Sequence, residues 1–103
     1  MIDLTTETFE AFVGSGLVVV DFWATWCGPC RALGKVLDSV AQKYPDVKFG
    51  KVNIDDQSEL GSKYRIASLP TLMFFKDGQR FSTIVGLVPE NKITKEVEEM
   101  KLV

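Results

Sequence analysis

Histidine is absent from the 103 residues, and cysteine occurs only twice. Two thiols without an imidazole cannot close a tetrahedral zinc site within one chain. Two cysteines are also too few to staple a small secreted domain. No apolar run exceeds a handful of residues, so none could span a bilayer as a helix. Neither sign of charge dominates: 12 basic and 14 acidic residues leave a formal charge of −2, and the scattered basic residues make no footprint for nucleic acid. What is there suits a soluble globular chain, 46% apolar and 25% charged, with enough length for one core in a single domain, residues 1–103.

The chemistry concentrates in one stretch. An apolar run, Leu17-Val18-Val19-Val20, leads into Phe22-Trp23-Ala24-Thr25-Trp26-Cys27-Gly28-Pro29-Cys30. From Leu33 onward Val36, Leu37, Val40, Ala41 and Tyr44 recur at helical spacing. A strand over 17–24, buried on both faces, therefore ends in a tight turn that opens a helix, and the helix stops where Tyr44 precedes Pro45. Cys-x-x-Cys at such a junction reads as a dithiol redox centre. A structural disulfide is the duller reading, but so short a loop removes little unfolded-state entropy. Two inert core thiols would not need Gly-Pro between them. Cys27 falls at the helix N-terminus, where unpaired N–H groups and the dipole favour a thiolate.

The other elements follow from pattern. Met1 to Leu4 suit a short strand, and Thr5 is a candidate N-cap for a helix carrying Phe9, Phe12 and Val13, closed by Gly14 and Gly16. A second core strand is expected at 49–54, parallel to the first through a right-handed crossover. Asp56-Gln57-Ser58-Glu59 suits the cap of a short helix with Leu60 and Tyr64. Asp77-Gly78 between apolar runs predicts a two-residue hairpin. Pro89 suits the first turn of a last helix whose apolar face is Ile93, Val97 and Met100. The order is β-α-β-α-β-α-β-β-α.

Trp26-Cys27-Gly28-Pro29-Cys30, preceded by Val20-Asp21-Phe22-Trp23-Ala24, resembles the active-site segment of the thioredoxin family. The resemblance continues through Lys51-Val52-Asn53-Ile54-Asp55, Leu69-Pro70-Thr71-Leu72, Phe75-Lys76-Asp77-Gly78 and Val85-Gly86, nearly end to end. It implies an α/β thioredoxin fold, a central mixed β-sheet flanked by helices on both faces. It also implies a protein-disulfide reductase in which Cys27 is the nucleophile and Cys30 the resolving thiol. No cofactor beyond the redox-active Cys27–Cys30 disulfide is then needed. The implied partners are a flavoprotein thioredoxin reductase and disulfide-containing substrate proteins, and a monomer is expected.

Residue roles follow from the same match. Gly28 and Pro29 supply no charge to hold a thiolate, which implies a reducing couple. Asp21, the only charged residue between Leu17 and Cys30, is expected to be buried with a raised pKa; the family match makes it the proton acceptor for Cys30. An exposed strand end is the plainer alternative for it. Lys51 is its candidate partner on the neighbouring strand, with an outward-reaching lysine as the alternative. Trp26, Gly28, Pro29, Ser68, Leu69, Pro70, Val85 and Gly86 match the family's substrate-facing surface, each apolar one having a core reading as well. Trp23 is expected to pack beneath the site. The Leu69-Pro70 bond is expected to be cis, since only an X–Pro bond adopts that form cheaply.

Two departures stand out. Arg31 replaces the usual lysine. Lys35 stands where the family commonly has the proline that kinks this helix, and the adjacent Gly34 leaves open whether it bends. A second class of function is a binding or scaffold module in which the dithiol is incidental; a remote third is an iron–sulfur cluster shared by the four cysteines of two copies. With no basic region followed by an apolar stretch at the N-terminus, a secretory signal is not expected and a cytoplasmic location is.

Overall fold

The computed structural model describes all 103 residues. Nine elements follow the expected order: β1 (Ile2–Asp3), α1 (Phe9–Val13), β2 (Leu17–Trp23), α2 (Gly28–Lys43), β3 (Val47–Asn53), α3 (Ser58–Lys63), β4 (Thr71–Lys76), β5 (Gln79–Val85) and α4 (Glu90–Lys101). The five strands form one sheet in the order β1-β3-β2-β4-β5. β1 and β2 pair parallel with β3, whereas β4 pairs antiparallel with β2 and with β5.

β2 is the middle strand, and its alternation divides the core. Val18, Val20 and Phe22 face one layer with Phe9 and Val13 of α1 and Leu60 of α3. Val19 faces the other, with Leu33, Leu37 and Val40 of α2 and Ile93, Val97 and Met100 of α4. Helices therefore cover both faces of a mixed sheet, and a strand buried on both sides needs the continuous apolar run it has. In the first layer the rings of Phe9, Phe22, Tyr64 and Phe75 contact one another, with centroids from 5.2 Å (Phe9–Tyr64) to 6.3 Å (Phe9–Phe22) apart. Each such ring contributes roughly 1.5–3 kcal/mol by leaving water.

The hairpin at Asp77-Gly78 forms with both residues at positive φ (49° and 87°), as a two-residue type I′ turn requires. The second strand of that hairpin bulges: Phe74 pairs with Ser82 but Phe75 with Arg80, leaving Phe81 as an extra residue.

Element ends differ from expectation for local reasons. Thr5 is not the N-cap of α1. Its carbonyl accepts the N–H groups of Thr8 and Phe9 (3.1 and 3.0 Å), so a turn precedes the helix and Thr8 takes the cap position. β3 begins at Val47, because the edge of β2 offers Leu17 as a partner there. The Asp56–Glu59 segment gives α3 no side-chain cap. Gln57 occupies the N-cap position, and its side-chain oxygen instead accepts from the Thr6 N–H at 3.0 Å. Pro89 sits at the N-cap of α4, one residue before its first turn.

α2 runs uninterrupted through Gly34 and Lys35. A methyl added at Gly34 would meet nothing within 4 Å, whereas one at Gly50 would fall 2.7 Å from Leu4 Cδ1 and 3.0 Å from Phe12. Gly34→Ala is therefore expected to stabilise the fold by about 0.5–1 kcal/mol. Gly50→Ala should destabilise it by about 1–3 kcal/mol through overpacking. Urea midpoints at constant slope measure both.

Candidate active site

The site is built where β2 hands the chain to α2. The Cys27 N–H donates to the Ala24 carbonyl at 3.2 Å, closing the turn after the strand. Cys27 then takes the N-cap of α2 in an extended conformation (φ −93°, ψ 108°), with Pro29 in the first helical turn. Its Sγ accepts the Cys30 N–H at 3.2 Å, so the sulfur occupies the place of a capping oxygen. The two cysteines form a disulfide with their Cα atoms 5.3 Å apart. Both are buried, packing with Ala24, Trp23, Ile54 and Leu69. Trp23 thus lies against the disulfide, half-buried.

Beside the disulfide runs an apolar groove of about 400 Å³. Trp26, Gly28, Pro29 and Leu69 line it, together with Ile54, Ile66 and Ala67, to which the sequence assigned no site role. Trp26 is 68% exposed, a large apolar surface left open at the groove's edge. Its indole N–H donates to the Asp55 carboxylate at 2.9 Å, which fixes the ring's orientation. Asp55 ends the Lys51–Asp55 segment that resembles the family, but nothing in its spacing marks it as a partner of Trp26.

The remaining substrate-facing candidates divide. Pro70 is buried, its bond to Leu69 is cis, and its carbonyl accepts the Gly86 N–H at 2.8 Å. That bond fastens the Ser68–Pro70 loop to the end of β5. Ser68 and Val85 line an adjoining cleft rather than the apolar groove. Gly86 has φ 96°, which a side chain would oppose.

Asp21 is only 3% exposed, on the α2-facing side of β2 that also presents Val19. Burial raises its pKa from 3.8 to about 7, against a lowering by the Lys51 charge. No protein group donates to its Oδ1. Lys51 stands directly across the sheet register from Asp21, yet no ion pair joins them. The Lys51 ammonium lies 3.8 Å from the Asp3 carboxylate and 5.1 Å from the Trp23 ring centroid. The lysine thus reaches outward, because its charge keeps water there that a contact with Asp21 would remove.

A carboxyl whose folded pKa exceeds its unfolded value makes stability fall as pH rises between the two. Below about pH 4 both states are protonated; above about pH 7 the folded protein holds a buried charge that Lys51 offsets only in part. The fall is on the order of 4 kcal/mol, at about 1.4 kcal/mol per pKa unit. Asp21→Asn should remove this slope and be the more stable protein at about pH 8, with the difference vanishing toward pH 4. Urea unfolding of both proteins across that range measures it.

The thioredoxin family model matches residues 1–99. Thioredoxin 1 of Synechococcus elongatus is 48% identical over 99 residues, covering 93% of this chain and 92% of that protein. The thioredoxin of Chlamydia pneumoniae is 45% identical over 91 residues, covering 88% and 89%. The oxidized form of mitochondrial thioredoxin 3 from Saccharomyces cerevisiae superposes with a TM-score of 0.89 at 31% identity, covering 96% and 94%. With a Cys-Gly-Pro-Cys pair capping α2 beside an open apolar groove, and with these relatives along nearly all its length, the chain belongs to the thioredoxin family and is a protein-disulfide oxidoreductase.

Proposed function

We propose that the chain works in the reducing direction, giving two electrons to disulfides of other proteins. The observation that carries the exchange itself is the placement of Cys27 Sγ at the N-cap of α2, accepting the Cys30 N–H beside an apolar groove; the reducing direction rests on the uncharged Gly28-Pro29 between the cysteines. In the reduced protein that N–H and the helix dipole stabilise a Cys27 thiolate. The thiolate attacks one sulfur of a substrate disulfide; a Cys27–substrate bond forms and the substrate's other sulfur leaves as a thiolate. Asp21 accepts the Cys30 proton, its pKa near 7 being matched to that task. Cys30 then attacks Cys27, forming the disulfide described above and releasing the substrate's second thiol. The protein loses two electrons to the substrate's two sulfurs; of the two protons these take up, one is the Cys30 proton held by Asp21 and the other comes from water.

Gly28 and Pro29 place no charged side chain beside the thiolate, which keeps the couple reducing. Lys51 acts on Asp21 through its charge at a distance. Trp26, Leu69 and Pro70 border the substrate's path; Ser68, Val85 and Gly86 hold or flank the opposing loop. A thioredoxin reductase restores the dithiol, and disulfide-bearing proteins consume it. The cytoplasm is the proposed location, since a reducing compartment sustains a dithiol donor.

Insulin reduction in the presence of a chemical reductant tests the reading. The wild type should accelerate it, Cys27→Ser should be inactive, and Cys30→Ser should accumulate as a mixed disulfide visible by mass spectrometry. Faster alkylation of Cys30 than Cys27 near neutral pH would reverse the assigned roles.

A further inference from the structure

A second depression adjoins the groove beside the disulfide. Ile66 and Ala67 also line the adjoining cleft of about 200 Å³, whose other walls include Arg65, Ser68, Arg80 and Val85. Two depressions thus share Ile66 and Ala67 as a common wall: an apolar one at the sulfurs, and a second with Arg65 and Arg80 among its lining residues. Neither arginine is used in an ion pair; those of the chain join Lys43–Glu90, Lys51–Asp3, Lys63–Glu10 and Lys101–Asp46. Arg80 Nη1 has only the Met73 sulfur, at 3.8 Å, which is a weak acceptor. Glu10, whose charge is felt at Tyr64 as Arg80's is, is held by Lys63.

The backbone at Arg65 supplies a second, independent observation. α3 closes with the Ile66 N–H on the Gly61 carbonyl (2.9 Å) and the Arg65 N–H on the Ser62 carbonyl (3.1 Å). That is the paired closure whose left-handed residue is usually glycine. Here the position belongs to Arg65, at φ 53°. A side chain at such a position opposes the turn, and local stability gives no reason for it. The arginine's placement at the cleft does.

We propose that Arg65 and Arg80 form a recognition site for an acidic side chain on the substrate protein. A substrate segment lying extended along the apolar groove continues past Ile66 and Ala67 and sets an Asp or Glu against the two guanidinium groups. Their planar donor forks suit a carboxylate. At this exposure the pairing selects substrates and speeds encounter more than it tightens the complex. The inference rests on the disulfide-reductase reading above.

The test uses matched peptide disulfides that differ only in a Glu or a Gln, walked one position at a time along either side of the attacked cysteine. With reduced protein, the best Glu peptide should react about five-fold faster than its Gln partner at low ionic strength, a ratio that collapses in high salt. The ratio should also collapse in Arg80→Gln and in Arg65→Gly. Arg65→Gly should in addition melt a few degrees higher, roughly the gain from placing glycine at a left-handed cap. Equal rates for Glu and Gln peptides at every position overturn the acidic site while leaving disulfide reduction standing. A preference that survives both substitutions overturns its assignment to these arginines, and an Arg65→Gly melting temperature at or below wild type overturns the argument from the turn. A wild-type chain that reduces neither peptide nor insulin overturns the reductase reading, and this proposal with it.

Discussion

A helix begins with four backbone N–H groups that its own ladder cannot satisfy. In this chain a sulfur answers that deficit. Cys27 takes the cap position because β2, held centrally between β3 and β4, delivers the chain there in an extended conformation. Pro29 suits the first turn, where its missing N–H costs nothing. Cys30 follows one turn along, so the same geometry that starts the helix brings the second thiol to the first. The redox pair is therefore a property of a strand–helix junction fixed by two core layers, not of a mobile loop. Precision of this kind comes from packing, since Phe22 and Ala24 before the junction and Leu33 and Leu37 after it are fully buried.

The same junction explains why a carboxylate belongs beneath it. Asp21 lies six residues before Cys27 on a strand whose neighbours on both faces are apolar. Its burial costs stability when it is charged, and the Lys51 charge offsets only part of that cost. Lys51, in register across the sheet, turns its ammonium toward Asp3 and the Trp23 ring. The arrangement leaves a buried carboxyl whose pKa is raised to about 7.

Much of this was legible in the residues. The strand–turn–helix junction showed itself through the shift from continuous apolar residues to helical spacing, and Asp77-Gly78 through the positive φ that a two-residue hairpin demands. Asp21 was legible because a lone acid among apolar neighbours has few places to be. Boundaries were less so. Thr5 and Thr8 are chemically equivalent as caps, and only the turn at residues 5–8 decides between them. The groove residues Ile54, Ile66 and Ala67 are indistinguishable from core by composition; tertiary approach alone leaves them open. Arg65 carried no signal either, because an arginine after a short helix reads as a solvated end until the left-handed backbone is seen.

The sheet ends on β5, whose outer edge carries unpaired backbone groups. Such an edge is a template on which another copy could add a strand, and growth in that direction ends in aggregates. The bulge at Phe81 breaks the regular repeat that a recruited strand would need, and Arg80 beside it adds a charge that would have to be desolvated. A defect in pairing that looks incidental to the fold thus protects the chain against self-templated association at high concentration.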